Sequence, residues 1–462
     1  MIYMDIKKFI YIFIIMLGMS CFCLSCGDGA EEAMAYPVDE TEQESSAELE
    51  NEEILQSEKT SESVSGNDGS AGSVMEEEVI VPVEEDSEGI PRPDPVKVKG
   101  IYVSGPAAGI AKMDGLIDLV DQTELNAMVI DVKNDEGKVT YKMQSDRVQE
   151  LGTSVGYIPD IKNLVDKCKE KDIYLIARIV AFRDPYLAEK RPEWAVHDGD
   201  GEIFRDKNGM AWVNPYNREL WDYLVEVASQ AAVDGFDEVQ FDYIRFSTDI
   251  KEEEVDYGPE AEKIDKIEII TEFTKYLYEN LAPCGVYVAA DVFGTVIDNE
   301  TDQKIVGQDY VKMAENLDYI CPMVYPSHYH NGAYGIAVPD ADPYATINVA
   351  AASSTRQLQA VPEEDCAQVR LWLQSFTAGW LSNHIRYGPE QIRQQIKGAY
   401  DAGYEEWILW NAAVNYQPDS LLTPEEAEEE RQRWEAGEPE PEKSVSANSM
   451  QMSVETESET EQ

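Results

Sequence analysis

Charged side chains interrupt four short apolar segments of this 462-residue chain. Asp131, Arg178, Asp242 and Asp291 each lie within or at the end of a run of β-branched and aromatic residues, the composition of a buried strand. An isolated buried charge is costly, so charges in such positions are expected to pair. If consecutive strands carry the first three, Arg178 lies between Asp131 and Asp242 and favours their ionised forms. Asp291 then lies away from the arginine, where the pKa of its carboxyl group can rise.

Two carboxyl groups in opposite protonation states meet the requirement for cleaving a glycosidic bond. We therefore predict that Asp242 acts as nucleophile or charge stabiliser and that Asp291 acts as general acid and base. Sequence spacing does not measure the distance between them, so retention or inversion at the anomeric carbon stays open; the closeness of adjacent strand ends favours retention. The alternative is that the charged residues form a structural ion-pair network that closes one end of a barrel.

Aromatic and polar side chains follow the same segments, in loops where a hydrophobic core does not require them. Flat aromatic faces line many ligand pockets and can stack on sugar rings, although a single aromatic residue more often serves packing. The predicted substrate contacts are Asp131, Arg178, Trp212, Arg245, Tyr325, His328, Trp410 and Asn411. The same aromatic set includes Trp194, Tyr216, Tyr243, Tyr329 and Trp380. His328 fits an exposed loop residue equally well, and Arg245 fits an ion pair with Asp249.

The segments that carry these residues belong to a regular repeat between Lys97 and Asp419. Short apolar runs alternate there with longer stretches of helical periodicity, such as 158–170, 218–233 and 263–280. The runs are Lys99–Val103, Ala127–Val132, Tyr174–Val180, Glu238–Tyr243, Val286–Val292, Tyr319–Tyr325, Leu371–Ser375 and Trp407–Asn411. Eight strands in strict alternation with helices predict an α/β protein with a (β/α)8 TIM barrel, whose active site lies at the carboxyl ends of the strands.

The charge of the chain is concentrated outside this block. The whole sequence has 91 acidic and 37 basic residues, a net charge of −54, and the segments 27–96 and 420–462 together carry −30 of it. Both segments are poor in aromatic residues, which predicts a disordered acidic linker and a disordered acidic tail around one domain at 97–419. The acidic excess excludes a nucleic-acid partner, which would need clustered Lys and Arg. It also favours a monomer.

The N-terminus has the features of an export signal. Lys7 and Lys8 precede the apolar run 9–19, which is shorter than the roughly 20 residues of a membrane-spanning helix. Residues 24–27, Leu-Ser-Cys-Gly, resemble the lipobox of bacterial lipoproteins, in which the cysteine becomes lipidated. We therefore predict a signal at 1–26, lipidation of Cys26 and a location outside the cytoplasm at the cell envelope, with membrane contact only through the lipid or the signal. Plain secretion is the alternative.

No motif for a metal or another cofactor is present in the sequence. The four histidines lack ligand spacing such as HExxH, and the Asp198–Gly201 segment lacks the remaining ligands of a calcium loop, so it is interpreted as a turn. Outside the signal, Cys168, Cys284, Cys321 and Cys366 are predicted to be single thiols or to form at most one disulfide. The absence of GxSxG and of a histidine-rich metal set disfavours an esterase or deacetylase. No cofactor and no metal are predicted.

Several stretches carry a family resemblance. Trp212–Pro215 (WVNP) and Asp234–Phe246 (DGFDEVQFDYIRF), with KGIY at 99–102 and CPMVYPS at 321–327, resemble the family described as "putative glycosyl hydrolase domain", found in exported bacterial proteins. The resemblance covers 97–415 and implies a TIM barrel with Asp242, on the fourth strand, at the site. The chain departs from the chitinase motif DxxDxDxE, because Asp242 is followed by Tyr243 and Ile244. Substrate-assisted hydrolysis of N-acetylated sugars is thereby disfavoured.

These observations predict a glycoside hydrolase that acts on a cell-surface or environmental polysaccharide through paired carboxylates. The alternative, from another functional class, is a surface barrel that binds a glycan in the same cleft without cleaving it.

Overall fold

The computed structural model describes residues 89–250 and 254–436. The predicted signal with Cys26, the linker up to residue 88 and the tail from residue 437 lie outside the described residues. Within the described part of the chain, no helix is long and apolar enough to span a membrane.

Eight parallel strands form a closed barrel at the centre of the fold. They are β1 (Lys99–Val103), β2 (Ala127–Lys133), β3 (Tyr174–Val180), β4 (Glu238–Asp242), β5 (Tyr287–Phe293), β6 (Tyr319–Val324), β7 (Leu371–Gln374) and β8 (Trp407–Trp410). Each strand pairs with the next, and β8 pairs with β1 to close the barrel. The predicted TIM barrel is confirmed, and each of the eight predicted strands matches within one residue.

Helices connect the strands and cover the outside of the barrel. The longer ones are Lys112–Asp121, Ile161–Lys169, Arg218–Asp234, Lys266–Leu281, Pro343–Leu358, Pro389–Asp401 and Pro424–Ala436. The shorter ones are Gly105–Ala108, Asp146–Leu151, Pro185–Lys190, Glu300–Val306 and Tyr310–Ala314. Several begin at a residue whose side chain accepts a hydrogen bond from the first turn, among them Asp160, Asn217 and Asp265. Such caps satisfy backbone N–H groups that have no partner within the helix.

Short strands and 3-10 turns lie in the loops at the barrel ends. Val139–Tyr141 pairs antiparallel with β2 and carries a further strand, Ser154–Ile158. Gln368–Val369 pairs with β6, and His197–Asp198 pairs with Val255–Asp256 away from the barrel sheet. Single 3-10 turns lie at Pro192–Trp194, Ala282–Cys284, Gly294–Ile297, Pro326–His328, Ala333–Gly335, Pro339–Ala341, Glu363–Asp365 and Pro418–Ser420.

The folded chain extends beyond the predicted boundaries of 97 and 419. Arg92 lies 2.7 Å from Asp318, and the Tyr287 hydroxyl donates to the Pro93 carbonyl at 2.9 Å, so this part of the predicted disordered linker packs on the barrel. On the other side, part of the predicted disordered tail forms the helix Pro424–Ala436, whose Glu430 pairs with Arg393 at 2.7 Å. These contacts with distant residues offset the low hydrophobicity of both segments.

A buried ion-pair cluster fills the amino-terminal end of the barrel. The fully buried Arg370, directly before β7, lies 2.6 Å from Glu238 and 3.0 Å from Glu406. Its guanidinium also lies 4.0 Å from the centre of the Tyr319 ring. Burial raises the pKa of Glu238, and Arg370 opposes part of that rise. One arginine thereby pairs with two carboxylates that would be costly to bury alone.

Replacing Arg370 with Met is expected to lower the free energy of unfolding by about 3 to 5 kcal/mol at pH 7, because two carboxylates remain buried without a cation. Urea denaturation of the full chain measures the loss. The control R431M breaks the exposed pair of Arg431 with Glu428 and is expected to leave the unfolding free energy nearly unchanged. Equal effects of the two substitutions would contradict the assigned role of Arg370.

Candidate active site

A second buried arginine lies near the carboxyl-terminal end of the barrel. Arg178 in β3 is 1% exposed and donates to Asp131 Oδ1 at 2.8 Å through Nη1. It also donates to Asp242 Oδ2 through Nε at 3.0 Å and Nη2 at 2.6 Å. The position between Asp131 and Asp242 agrees with the strand-order argument, because β3 lies between β2 and β4. Register places Asp131 beside Arg178, and Asp242 lies two residues further along β4 than Gln240, the direct partner of Arg178.

A third carboxylate completes the arginine cluster. Asp135, in the loop after β2, accepts hydrogen bonds from Arg178 Nη1 and Nη2 at 3.2 and 3.4 Å. Arg183 lies 3.6 Å from the same side chain. Burial raises the pKa of Asp135, but the charges of Arg178 and Arg183 outweigh that effect, so the net shift is downward. Asp135 therefore favours the ionised form and links the two arginines.

Asp242 ends β4 with both carboxyl oxygens in hydrogen bonds. Oδ2 accepts from Arg178, and Oδ1 accepts from the backbone N–H of Tyr243 at 2.6 Å. Asp242 is 7% exposed and lines a cavity at this end of the barrel. The hydrogen bonds fix the orientation of the carboxyl group while leaving it accessible from the cavity.

Asp291 lies in β5, next to the strand that carries Asp242. Register pairs Phe241 with Ala290, so Asp242 and Asp291 are the next residues along the two neighbouring strands. Asp291 Oδ1 accepts from Gln240 Nε2 and from Trp372 Nε1, both at 2.6 Å. Burial, and then the nearby charge of Asp242, raise the pKa of Asp291 well above its usual range despite these hydrogen bonds. The two carboxyl groups thus have contrasting environments, one beside a guanidinium and one in an uncharged pocket.

Asp131 lies behind the arginine, away from the cavity. Its Oδ2 accepts from the Tyr102 hydroxyl at 2.6 Å, and its Oδ1 accepts from Arg178. Burial raises the pKa of Asp131 to about 6, although Arg178 opposes the rise. Asp131 therefore positions Arg178 and does not line the cavity.

The cavity has a volume of about 180 Å³ and lies among the strand ends and their loops. Asp242, Asp291 and Arg178 lie on its inner wall. Its aromatic lining consists of Trp212, Tyr243, Phe293, Tyr325, Tyr329, Trp372 and Trp410. Arg245 lines it as well, with its guanidinium 4.4 Å from the Phe293 ring centre and 5.1 Å from that of Trp212. An aromatic cavity with a few convergent polar groups is the usual form of a ligand site.

The structure brings most of the predicted site residues together. The two predicted catalytic residues line the cavity, as do six of the predicted substrate contacts: Arg178, Trp212, Arg245, Tyr325, His328 and Trp410. Asp131 and Asn411 do not line it. Asn411 instead donates to the Ser375 carbonyl at 2.6 Å, a bond between the ends of β7 and β8.

Some of the remaining predicted aromatic residues line the cavity, and others do not. Tyr243 and Tyr329 line the cavity, whereas Trp194 and Tyr216 are buried elsewhere and Trp380 stacks on Phe376 at 5.9 Å between ring centres. These three aromatic side chains serve packing because their loops fold back onto the barrel.

Several contributors to the site were not predicted. Asp135 and Arg183 lie two and three residues after the ends of β2 and β3. Their position just beyond strand ends is the sequence feature that could have indicated them. Gln240 and Trp372 lie within strands, and their bonds to Asp291 form only because the three side chains meet inside the closed barrel.

Other sequence predictions concern metals and thiols. Within 89–250 and 254–436, no group of three His, Cys, Asp or Glu side chains is placed so that it could hold a metal ion. The Asp198–Gly201 segment forms a turn in which Asp198 Oδ1 accepts from the backbone of Asp200 and Glu202, each at 3.0 Å. Cys168, Cys284, Cys321 and Cys366 are free thiols.

Replacing Asp131 with Asn is expected to change how stability depends on pH. The folded pKa of about 6 exceeds the ordinary value of 3.8, so Asp131 contributes stability below pH 4 that is lost as pH rises through 6. That loss amounts to about 3 kcal/mol. From pH 4 to pH 7, the unfolding free energy of D131N should therefore rise relative to the wild type by up to that amount.

Urea denaturation at several pH values measures this difference, with D118N, at an exposed helix position, as the control. A difference between D131N and wild type that stays constant across the range would contradict the assignment.

Comparisons with known proteins agree with the barrel. A hypothetical protein from Ruminiclostridium thermocellum is 36% identical over 42% of this chain and 97% of its own, with a TM-score of 0.39. The PgaB (BpsB) glycoside hydrolase domain from Bordetella bronchiseptica is 14% identical over 69% of this chain and 95% of its own, with a TM-score of 0.51. At that identity the likeness supports the fold alone. No curated protein sequence matches this chain.

A family model gives the relationship more directly. Residues 100–416 match the family described as "putative glycosyl hydrolase domain". The match spans all eight strands of the barrel and both Asp242 and Asp291. Because it covers well over half of the chain, this protein belongs to the family of "putative glycosyl hydrolase" domains.

Proposed function

We propose that the protein hydrolyses glycosidic bonds of a polysaccharide in the cavity between Asp242 and Asp291. One observation carries the proposal. Two carboxyl groups on adjacent strands line the same cavity, and burial raises the pKa of one of them, Asp291, well above its usual range. Asp242 is held beside Arg178, whereas Asp291 is buried among uncharged donors. Such a pair is what glycosidic cleavage requires.

In the first step, Asp291 acts as general acid and Asp242 as nucleophile. The Asp291 proton passes to the glycosidic oxygen as the bond between that oxygen and the anomeric carbon breaks. The Asp242 carboxylate attacks the anomeric carbon and forms a covalent glycosyl ester. Arg178 holds Asp242 in place through two hydrogen bonds to Oδ2.

In the second step, the Asp291 carboxylate takes a proton from a water molecule. The resulting hydroxide equivalent attacks the anomeric carbon, the ester bond to Asp242 breaks, and the sugar leaves with its original anomeric configuration. A retaining reaction is favoured because adjacent strands lie about 4.8 Å apart. Retaining enzymes place their carboxyl groups about 5 to 5.5 Å apart, whereas inverting enzymes need a wider gap for water.

The remaining cavity residues would bind the sugar. Tyr325, Trp410 and Trp212 present aromatic surface for stacking, and His328 and Arg245 supply polar contacts. Asp131 and Asn411 would act indirectly, the first by holding Arg178 and the second by joining two strand ends. We propose that the substrate is a cell-surface or environmental polysaccharide and that the protein works as a monomer outside the cytoplasm.

One observation favours a second candidate function. Asp291 is only 1% exposed, and two hydrogen bonds hold its Oδ1, an arrangement that also suits a structural residue. The barrel would then bind a glycan in the cavity without cleaving it. Turnover measurements separate the two functions.

Replacing Asp242 with Asn is expected to lower the rate of polysaccharide cleavage by more than about 10³-fold, because an amide is a poor nucleophile. The thermal transition should change little, since Arg178 keeps Asp131 and Asp135 as partners. Release of reducing ends from a panel of bacterial and plant polysaccharides measures the rate. The exposed control D166N should cleave like the wild type, and an active D242N would contradict the assignment.

Replacing Asp291 with Asn tests the general acid separately. Cleavage of natural glycosides should fall by about 10²- to 10⁴-fold. Aryl glycosides with activated leaving groups should lose much less in the first step, because those leaving groups need no proton. Equal losses on both substrates would exclude the acid role. Glycan binding by a wild type that releases no reducing ends from any substrate would favour the binding-only barrel.

Replacing Cys26 with Ser tests the proposed lipid anchor. In the producing bacterium, the full-length wild type should enter the detergent phase of a membrane extract, and C26S should not. C21S, which alters a cysteine outside the lipobox, is the control and should behave like the wild type. If the wild type and C26S both stay in the aqueous phase, the protein is secreted without a lipid.

A further inference from the structure

Tyr243, directly after Asp242, has a backbone conformation that is unusual for its type. Its φ angle is +52°, in the left-handed region that bulky L-residues rarely occupy. Asp172, Tyr334 and Val414 share this property among the described non-glycine residues, but only Tyr243 lines the cavity. Strained backbone of this kind persists where the surroundings hold it in place, and it often marks a functional site.

The conformation determines where one backbone N–H points. The Tyr243 amide donates to Asp242 Oδ1 at 2.6 Å, a bond between adjacent residues. Oδ2 of the same carboxylate accepts two bonds from Arg178. A carboxylate offers about four acceptor positions, two on each oxygen. Of the two oxygens, Oδ1 is therefore the one that keeps a lone pair for attack on the anomeric carbon.

The side chain of Tyr243 is fixed at both its ring and its hydroxyl. Arg183 donates to the hydroxyl, and the Arg245 guanidinium lies 4.9 Å from the ring centre. Trp212 meets the ring edge-on, with 6.0 Å between centres. Arg183 in turn pairs with Asp135, which binds Arg178. A closed chain of contacts thus leads from the Tyr243 side chain back to Asp242.

We infer that Tyr243 is a positioning residue whose anchored ring holds its strained backbone, so that its amide orients Asp242 Oδ1 for attack. The inference rests on the proposed function of Asp242 as nucleophile. Before substrate binds, the Tyr243 amide fixes the rotation of the Asp242 carboxyl group. During the reaction it keeps Oδ1 on the side of the cavity.

The test compares Y243F, Y243A and the wild type in the full chain. Y243F keeps the ring and should retain kcat within about threefold. In Y243A the anchors are lost, the backbone relaxes to negative φ, and one hydrogen bond to a charged group disappears. We expect kcat to fall by about 10- to 100-fold, with KM changed by less than about threefold. A residue that only shapes the binding surface would raise KM instead, and that result would overturn the inference.

A control variant separates strain from function. D172G places glycine at another left-handed position, in an exposed turn away from the cavity, where it relieves the same kind of strain. Its kcat and KM should equal those of the wild type, with a slightly higher Tm. A fall in kcat in D172G comparable to that in Y243A would overturn the inference.

A crystal structure of Y243A gives a readout that does not depend on turnover. It should show residue 243 at negative φ and its amide beyond hydrogen-bond distance of Asp242. Positive φ with the hydrogen bond kept would overturn the inference even if activity were lost. If the wild type cleaves no glycoside but Y243A relaxes as expected, the proposed function fails while the role of Tyr243 in orienting Asp242 is supported.

Discussion

The arrangement of charged residues at the carboxyl-terminal end of this barrel depends on one buried guanidinium, that of Arg178. Arg178 bonds to Asp131, Asp135 and Asp242, and the two buried carboxylates, Asp131 and Asp242, would be costly to bury without it. The contacts also join β2, its following loop, β3 and β4 into one rigid group. Because a guanidinium has a planar, fixed set of donors, it fixes the directions of the carboxyl groups as well as their charge. Asp291, one strand further on, keeps its distinct environment because the arginine is already occupied.

The barrel interior uses the same chemistry at both ends, with different consequences. Arg370 binds Glu238 and Glu406 at the amino-terminal end, where the cluster is sealed by the ring of Tyr319 and its neighbours. At the opposite end, the Arg178 cluster lines a cavity. Buried ion pairs in this barrel can therefore either close one end of it or line a cavity. The two clusters differ in whether they line a cavity, and the loops that follow the strands form part of the cavity wall.

The parts of the fold that depend on local composition could be predicted from the sequence. Apolar runs located all eight strands, and strand order placed Arg178 between two aspartates, because adjacent parallel strands bring their ends together. The partners of Asp291 could not be found this way, since Gln240 and Trp372 meet it only where side chains from different strands converge inside the barrel. The position of Asn411 at a strand end predicts a substrate contact, but its amide instead donates to the carbonyl of Ser375, directly after β7. The order of residues 89–96 depends on remote partners such as Asp318, which local composition cannot indicate.

The points at which the polypeptide enters and leaves the barrel lie at one pole. Residues 90–98 contact positions that precede β5, β6 and β8. Just ahead of β2, the Glu124 N–H donates to the Leu422 carbonyl, and the Leu422 N–H donates to Glu124 Oε1. The cavity opens at the other pole. Both ends of the barrel domain therefore lie on the side remote from the cavity, so the loops around the cavity carry no chain terminus of that domain.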